Sequence, residues 1–167
     1  MHPRRWITTE IEINAPCAVV WKVLTDFPGY CSWNPTIRRI EGRLAVESCL
    51  SVFACLPCGL PLMLRPRLLE FRPEREIKWL GSLLIPGLLD GEHRFLLDPL
   101  SELETRFVQR EEYDGILLPF VWKWLGDQGR RAYELMNGAL KEEAERLFES
   151  SCSDSSSLDS ASLANPL

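Results

Sequence analysis

Across residues 6–13 apolar and polar positions alternate, with Ile7, Thr9, Ile11 and Ile13 on one face and Thr8, Glu10 and Glu12 on the other. That is the period of a half-buried strand. The period then changes. Asn14 is placed to cap a helix and Pro16 suits its first turn, so residues 17–25 read as a short helix burying Val20, Val23 and Leu24. Asp26-Phe27-Pro28-Gly29-Tyr30 ends it. Strand patterns bounded by Gly, Pro or charged turns follow at residues 36–41, 47–55, 62–72, 76–80, 92–98 and 105–113, making seven strands in all. After Asp114-Gly115 the spacing becomes helical, and Tyr133, Met136, Leu140, Ala144 and Leu147 form one apolar stripe. A helix over about residues 119–148 is about 45 Å long at 1.5 Å per residue, enough to cross a sheet. The segment 150–167 holds eight serines, two aspartates and no aromatic residue, which predicts a disordered tail behind a domain of residues 1–149. This order of elements predicts an α+β fold, an antiparallel sheet with its helices on one face.

Short links between consecutive strands imply a meander, whose turns alternate between the two ends of the sheet. One end collects the polar turns at 41–43, 72–75 and 99–104. The other collects the apolar stretches 56–62, 83–89 and 116–120, together with Tyr30-Cys31-Ser32-Trp33-Asn34-Pro35. Apolar loops are costly to leave in water, so this end reads as a hydrophobic mouth, a membrane-touching rim or a partner surface, or else as loops that bury one another. Leu60, Pro61, Ile85, Pro86, Leu88 and Leu118 are the expected entrance residues.

Alternation also sorts the interior. His93, Phe95 and Leu97 share one face of their strand, Ile77 and Trp79 point the same way on the preceding one, and Phe107, Gln109, Glu111 and Tyr113 on the following one. Hairpin pairing brings Trp79, His93 and either Gln109 or Glu111 into one row. If Leu69 and Phe71 face inward, the same parity carries Arg67 and Arg65 to that face. An apolar interior holding Arg67, His93 and Glu111 is expensive unless these groups pair, meet water or meet a ligand. The expected lining is therefore Trp33, Arg67, Trp79, His93, Phe95, Phe107, Gln109, Glu111, Tyr133 and Met136, with His93 and Glu111 as candidate catalytic groups. A satisfied ion pair or a hydrated core histidine explains the same residues without catalysis.

Composition narrows the partners. Among 167 residues, 46% are hydrophobic and 26% charged, which excludes wholesale disorder. A net charge of −5 lacks the clustered positive potential that nucleic acid requires. The opening residues show no continuous apolar export signal, and the uncharged run 48–64 is interrupted by Pro57, Gly59 and Pro61, so a cytoplasmic chain without a membrane span is expected. Six scattered cysteines are then reduced thiols. Cys55-Leu56-Pro57-Cys58 is followed by Gly59-Leu60-Pro61, which forbids the helix start of a redox pair, and no second ligand pair accompanies it for zinc. Neither a metal nor a cofactor is expected.

The run Glu10-Ile-Glu-Ile-Asn-Ala-Pro-Cys-Ala-Val-Val-Trp-Lys-Val-Leu-Thr-Asp-Phe, then Trp33-Asn34-Pro35, Leu69-Glu70, Lys78-Trp79, Gly91-Glu92-His93-Arg94-Phe95 and the terminal helix resemble the SRPBCC superfamily. This START-like group contains polyketide cyclase and dehydrase-like proteins, and the likeness covers residues 6 to about 148. The resemblance implies a helix-grip: a curved seven-stranded antiparallel sheet around the long C-terminal helix, two short helices between its first two strands, and a deep apolar cavity. Gly59-Leu60-Pro61 is similar to the gate loop of the abscisic-acid receptors, whose basic pocket residue and partner-facing motifs are not evident here. The expected function is binding, carriage or sensing of a hydrophobic small molecule (a lipid, polyketide or isoprenoid). One alternative is a cyclase or dehydratase using His93 and Glu111 for proton transfer; another is a docking module making transient membrane or protein contact through the apolar rim. Ligand identity and oligomeric state stay open.

Overall fold

The computed structural model describes residues 4–162, with side chains to Ser153. The chain begins with β1 (Arg5–Ile13), whose Ile7, Thr9 and Ile13 are buried as the alternation requires. Helix α1 (Cys17–Thr25) buries Val20, Val23 and Leu24. Pro16, not Asn14, stands at its N-cap and makes no side-chain capping bond. Asn14 has another partner: its backbone N–H and side-chain amide both donate to Glu145 Oε1, at 2.7 and 2.9 Å, tying the chain to the terminal helix. A single 3₁₀ turn (Phe27–Gly29) leads into α2 (Tyr30–Trp33), completing the two short helices expected here.

Among the described residues, the expected seven-stranded sheet is eight strands in two sheets. Strands β2 (Ile37–Glu41), β3 (Ser51–Cys55) and β4 (Pro61–Leu64) form one, in that order. The other contains β5 (Arg67–Arg72), β6 (Glu76–Ser82), β7 (Asp90–Ser101) and β8 (Glu104–Asp114), ordered β1-β8-β7-β6-β5 and antiparallel throughout. The break falls at Arg65-Pro66, inside the stretch 62–72 that reads as one strand. Proline has no N–H to give a ladder, so the chain changes sheets there. The gap is laced by backbone bonds: Leu50 N–H donates to Pro66 O at 2.9 Å, Leu68 N–H to Ser48 O and Glu47 N–H to Leu68 O, both at 2.8 Å. These bonds join the sheets along one side.

Helix α3 (Leu118–Ser162) lies across the larger sheet. Met136, Leu140 and Ala144 of its predicted stripe are fully buried against Phe95, Leu97 and Phe107. The helix runs on to Ser162, through most of the segment read as a disordered tail; residues 163–167 lie outside the described residues. The core is divided. Its larger part joins α1, both sheets and the middle of α3, while Ile7, Tyr113 and Leu118 form a smaller cluster with Leu89, Trp122, Leu125 and Tyr133. Between these two parts, near the apolar loops, the interior is hollow.

Candidate functional site

The hollow is a cavity of about 260 Å³ bounded by β3, β4, β6, β7, β8 and the first half of α3. Its aliphatic side consists of Ile37, Val52, Ala54, Leu62, Leu64, Leu83 and Leu89, and Trp124, Leu125, Ala132 and Met136 close it from the helix. The loops at the apolar end supply the mouth. Leu56 and Leu60 come from the β3–β4 turn, which is tied to α3 by a 3.1 Å bond from Cys58 N–H to Gln128 Oε1. The β6–β7 loop is tied to the start of α3: Ile116 N–H donates to Gly87 O at 3.1 Å and Leu117 N–H to Leu88 O at 3.0 Å.

One wall is polar, and strand register builds it. Trp79 pairs with His93 and His93 with Glu111, so these three form one row; Ile77, Phe95 and Gln109 form the next. His93 Nε2 lies 3.1 Å from Gln109 Oε1, and Gln109 Nε2 donates to Asn137 Oδ1 at 2.6 Å and to Tyr133 O at 3.2 Å. Asn137 Nδ2 donates in turn to Thr9 Oγ1 at 3.2 Å. Because Gln109 spends both amide protons on the helix, its oxygen accepts, and His93 carries its proton on Nε2. His93 Nδ1 is then a bare lone pair, 3.5 Å from Glu111 Oε2.

Burial sets the charge state of this pair. His93 is pushed down to about 3 by desolvation, only partly offset by its bond to Gln109. Glu111 is pushed up to about 7, again by desolvation, against the lowering effect of the Tyr113 hydroxyl. The close approach of histidine and carboxylate is therefore not an ion pair at neutral pH. Tyr113 donates to Glu111 Oε2 at 2.8 Å and so accepts from Tyr133, 2.7 Å away. Burial, and next the neighbouring carboxylate, raise the Tyr113 phenol. Phe95 stacks on the His93 ring at 4.2 Å between centroids, and Trp79 meets it edge-on at 5.9 Å.

Two glycines make room for the cluster. A Cβ on Gly91 would lie 2.3 Å from Glu111 Oε1, and one on Gly129 would lie 2.8 Å from Ile7 Cδ1 and 3.4 Å from the Tyr113 hydroxyl. Gly138 has nothing within 4 Å of that position, so its missing side chain serves neither the cavity nor a close approach.

Of the residues expected to line an interior, Trp79, His93, Gln109, Glu111, Tyr133 and Met136 do so. Phe95 and Phe107 are core beyond the cavity, stacked on each other at 6.3 Å. Trp33 packs on Tyr30 at 4.8 Å, outside the cavity. Arg67 faces away, half-exposed and bonded to Glu47 Oε2 at 2.8 Å. A bulge between Leu68 and Glu70 is the reason: Leu68 and Phe71 both face inward, paired with Trp79 and Ile77, so parity counted back from Phe71 fails before Arg67. At the entrance, Leu60 lines the mouth, Pro61, Ile85 and Pro86 are exposed nearby, Leu88 is half-buried, and Leu118 is turned into the smaller core. Asn137 and Gly91 were not anticipated; the signal for Asn137 was an amide one position beyond Met136 on the apolar stripe. Among the described residues no cluster of metal-ligating side chains occurs, and no helix is long and apolar enough to cross a membrane.

Residues 5–145 match the sequence model of a family described as polyketide cyclase / dehydrase and lipid transport. The chain belongs to this family. Solved structures with the same fold include the Zhui aromatase/cyclase from Streptomyces sp. R1128, at a TM-score of 0.73 and 18% identity over 86% of this chain and 95% of that one. A START superfamily protein from Mycobacterium smegmatis aligns at 0.69 and 19% over 85% and 98%. The di-domain ARO/CYC BexL from the BE-7585A biosynthetic pathway aligns at 0.70 and 13%, over 85% of this chain and 50% of BexL. No curated protein sequence matches the chain. For this member of the family, likenesses at such identities establish the fold, and the site must be argued from its own residues.

Proposed function

We propose that this protein binds and carries a small, largely apolar molecule whose single polar group meets Glu111. The observation that carries this reading is the cavity: about 260 Å³, walled mainly by aliphatic and aromatic side chains, with Asp90, His93, Gln109 and Glu111 all on β7 and β8. Small-molecule sites have this layout, and the volume falls just below their usual range of about 300–1,000 Å³, which suits a compact ligand. The family description, which includes lipid transport, agrees with it. Uptake of N-phenyl-1-naphthylamine, followed by its fluorescence, tests the reading. Wild-type protein is expected to bind the probe, and Ala54→Trp, which fills the cavity from β3, to weaken binding by about tenfold. Absence of probe binding and of any copurifying molecule in native mass spectrometry overturns it.

A second reading, proton transfer in a cyclase or dehydratase reaction, is favoured by one observation. Glu111, with its pKa near 7, is poised to accept or deliver a proton at neutral pH. His93 is a weak base despite its bare Nδ1 lone pair, because burial pushes its pKa down to about 3. In this reading turnover of a poly-β-keto substrate follows Glu111 ionisation and is lost in Glu111→Gln. A substrate that binds but is released unchanged removes it.

A further inference from the structure

The chemical class of the ligand can be narrowed from the hydrogen-bond inventory of the polar wall, an argument that rests on the cavity reading above. The cavity is bounded by 27 residues, and none is lysine or arginine. The arginine expected inside, Arg67, is on the outer surface against Glu47. His93 contributes no positive charge. The ionisable acids along the lining are Glu111 and, at the start of β7, Asp90. A ligand carboxylate or phosphate would enter with no counter-charge and would lie against acidic side chains in an apolar surround, an arrangement that costs several kcal/mol in desolvation and repulsion.

The donors of the network around Glu111 are bonded to one another. Gln109 gives its protons to Asn137 and Tyr133, His93 gives its own to Gln109, Tyr113 donates to Glu111 Oε2, and Tyr133 donates to Tyr113. Within that network, what is left over is acceptor capacity. Glu111 Oε1 has no hydrogen-bond partner among the described residues and stands directly over the bare Cα of Gly91. His93 Nδ1 adds a second lone pair beside the same carboxylate. An acceptor facing an apolar cavity is best met by a donor, so the group that complements this network is a proton donor carried by the ligand.

We infer that the cavity accepts amphiphiles whose head donates a hydrogen bond to Glu111, a protonated amine first and a hydroxyl second, and that it rejects carboxylate heads of the same chain length. Gly91 is the positioning residue for this choice. Any side chain at 91 displaces the carboxylate oxygen from the place where the head would meet it.

Competition against bound N-phenyl-1-naphthylamine with octylamine, octanol and octanoate, at neutral pH and about 0.15 M salt, tests the inference. Octylamine is expected to displace the probe at about tenfold lower concentration than octanoate, with octanol between them. In Glu111→Gln, a near-isosteric change, the advantage of octylamine over octanol should shrink to about twofold or less. Gly91→Ala supplies a second variant in which the carboxylate is moved and not removed, and the same narrowing is expected. Octanoate competing as well as octylamine overturns the inference and leaves the cavity reading standing, as does an amine preference that survives in both variants. Failure of the wild-type protein to bind the probe and all three competitors overturns both.

Discussion

Gln109 is completely buried and connects three elements, taking the His93 proton on its oxygen and giving its own protons to α3. Gln109→Leu keeps the approximate volume but leaves the His93 N–H and Asn137 Oδ1 unpaired in an apolar surround. A loss of about 2–4 kcal/mol is expected in urea unfolding, from two groups at about 1–3 kcal/mol each with some relaxation. The pH response of the same cluster has a definite sign. Glu111 has a folded pKa near 7 against an ordinary 4.5, so its contribution is fully present below 4.5 and is lost as pH rises through 7. His93 is the reverse, with a folded value near 3 against 6.5; its contribution is present above 6.5 and is lost as pH falls through 3. Between about 4.5 and 6.5 the two oppose each other, one proton against one, and this pair leaves stability nearly flat. Glu111→Gln removes one side of the balance. Its stability relative to wild type should rise with pH across that window, with a slope of at most about 1.4 kcal/mol per pH unit. Parallel wild-type and variant profiles count against the assigned charge states.

At the scale of elements, the regular strands were readable and the irregular ones were not. The inward faces of β6, β7 and β8 follow simple alternation, which is why Trp79, His93, Gln109 and Glu111 could be brought to one surface from spacing alone. Alternation does not say how far along a strand a cavity extends, so Phe95 and Phe107 shared the face without reaching the hollow. The bulge in β5 has no mark in the residues and moved Arg67 out. Pro66 was a visible signal for the sheet break, since a central strand does not hold an internal proline. Arg67→Ala is accordingly expected to change probe affinity by less than about twofold, its ion pair being solvated. Helix α3 offers a sharper contrast between two glycines. Gly138→Ala meets open space and gains helix propensity, about 0.5–1 kcal/mol in stability. Gly129→Ala drives a methyl group against Ile7 and toward Tyr113, and thermal melting should place it below wild type despite the same propensity gain.

For the whole molecule, counting turn parity predicted that apolar tips gather at one end, and the cavity mouth lies among them. Leu118 was misplaced because the first turn of α3 rolls one residue into the smaller core, while Ile116 and Phe120 on either side stay outward. Leu84 and Phe120 are 85% and 84% exposed, more than burial of the core requires of any large apolar residue. Such positions contribute little to folding, so Leu84→Ser and Phe120→Ser, singly or together, should leave unfolding free energy within about 0.5 kcal/mol of wild type. They are not in the cavity wall, so equilibrium affinity for N-phenyl-1-naphthylamine should also hold. What they can alter is passage. A ligand leaving water or a membrane crosses the rim before it meets Leu60 and Trp124, and an apolar rim lowers the barrier by shielding it from water on the way. Stopped-flow transfer of the probe from phosphatidylcholine vesicles should therefore slow several-fold in the double variant with its final amplitude unchanged. Equal rates would make the rim incidental to carriage, and a lost amplitude would place these residues in the binding site itself.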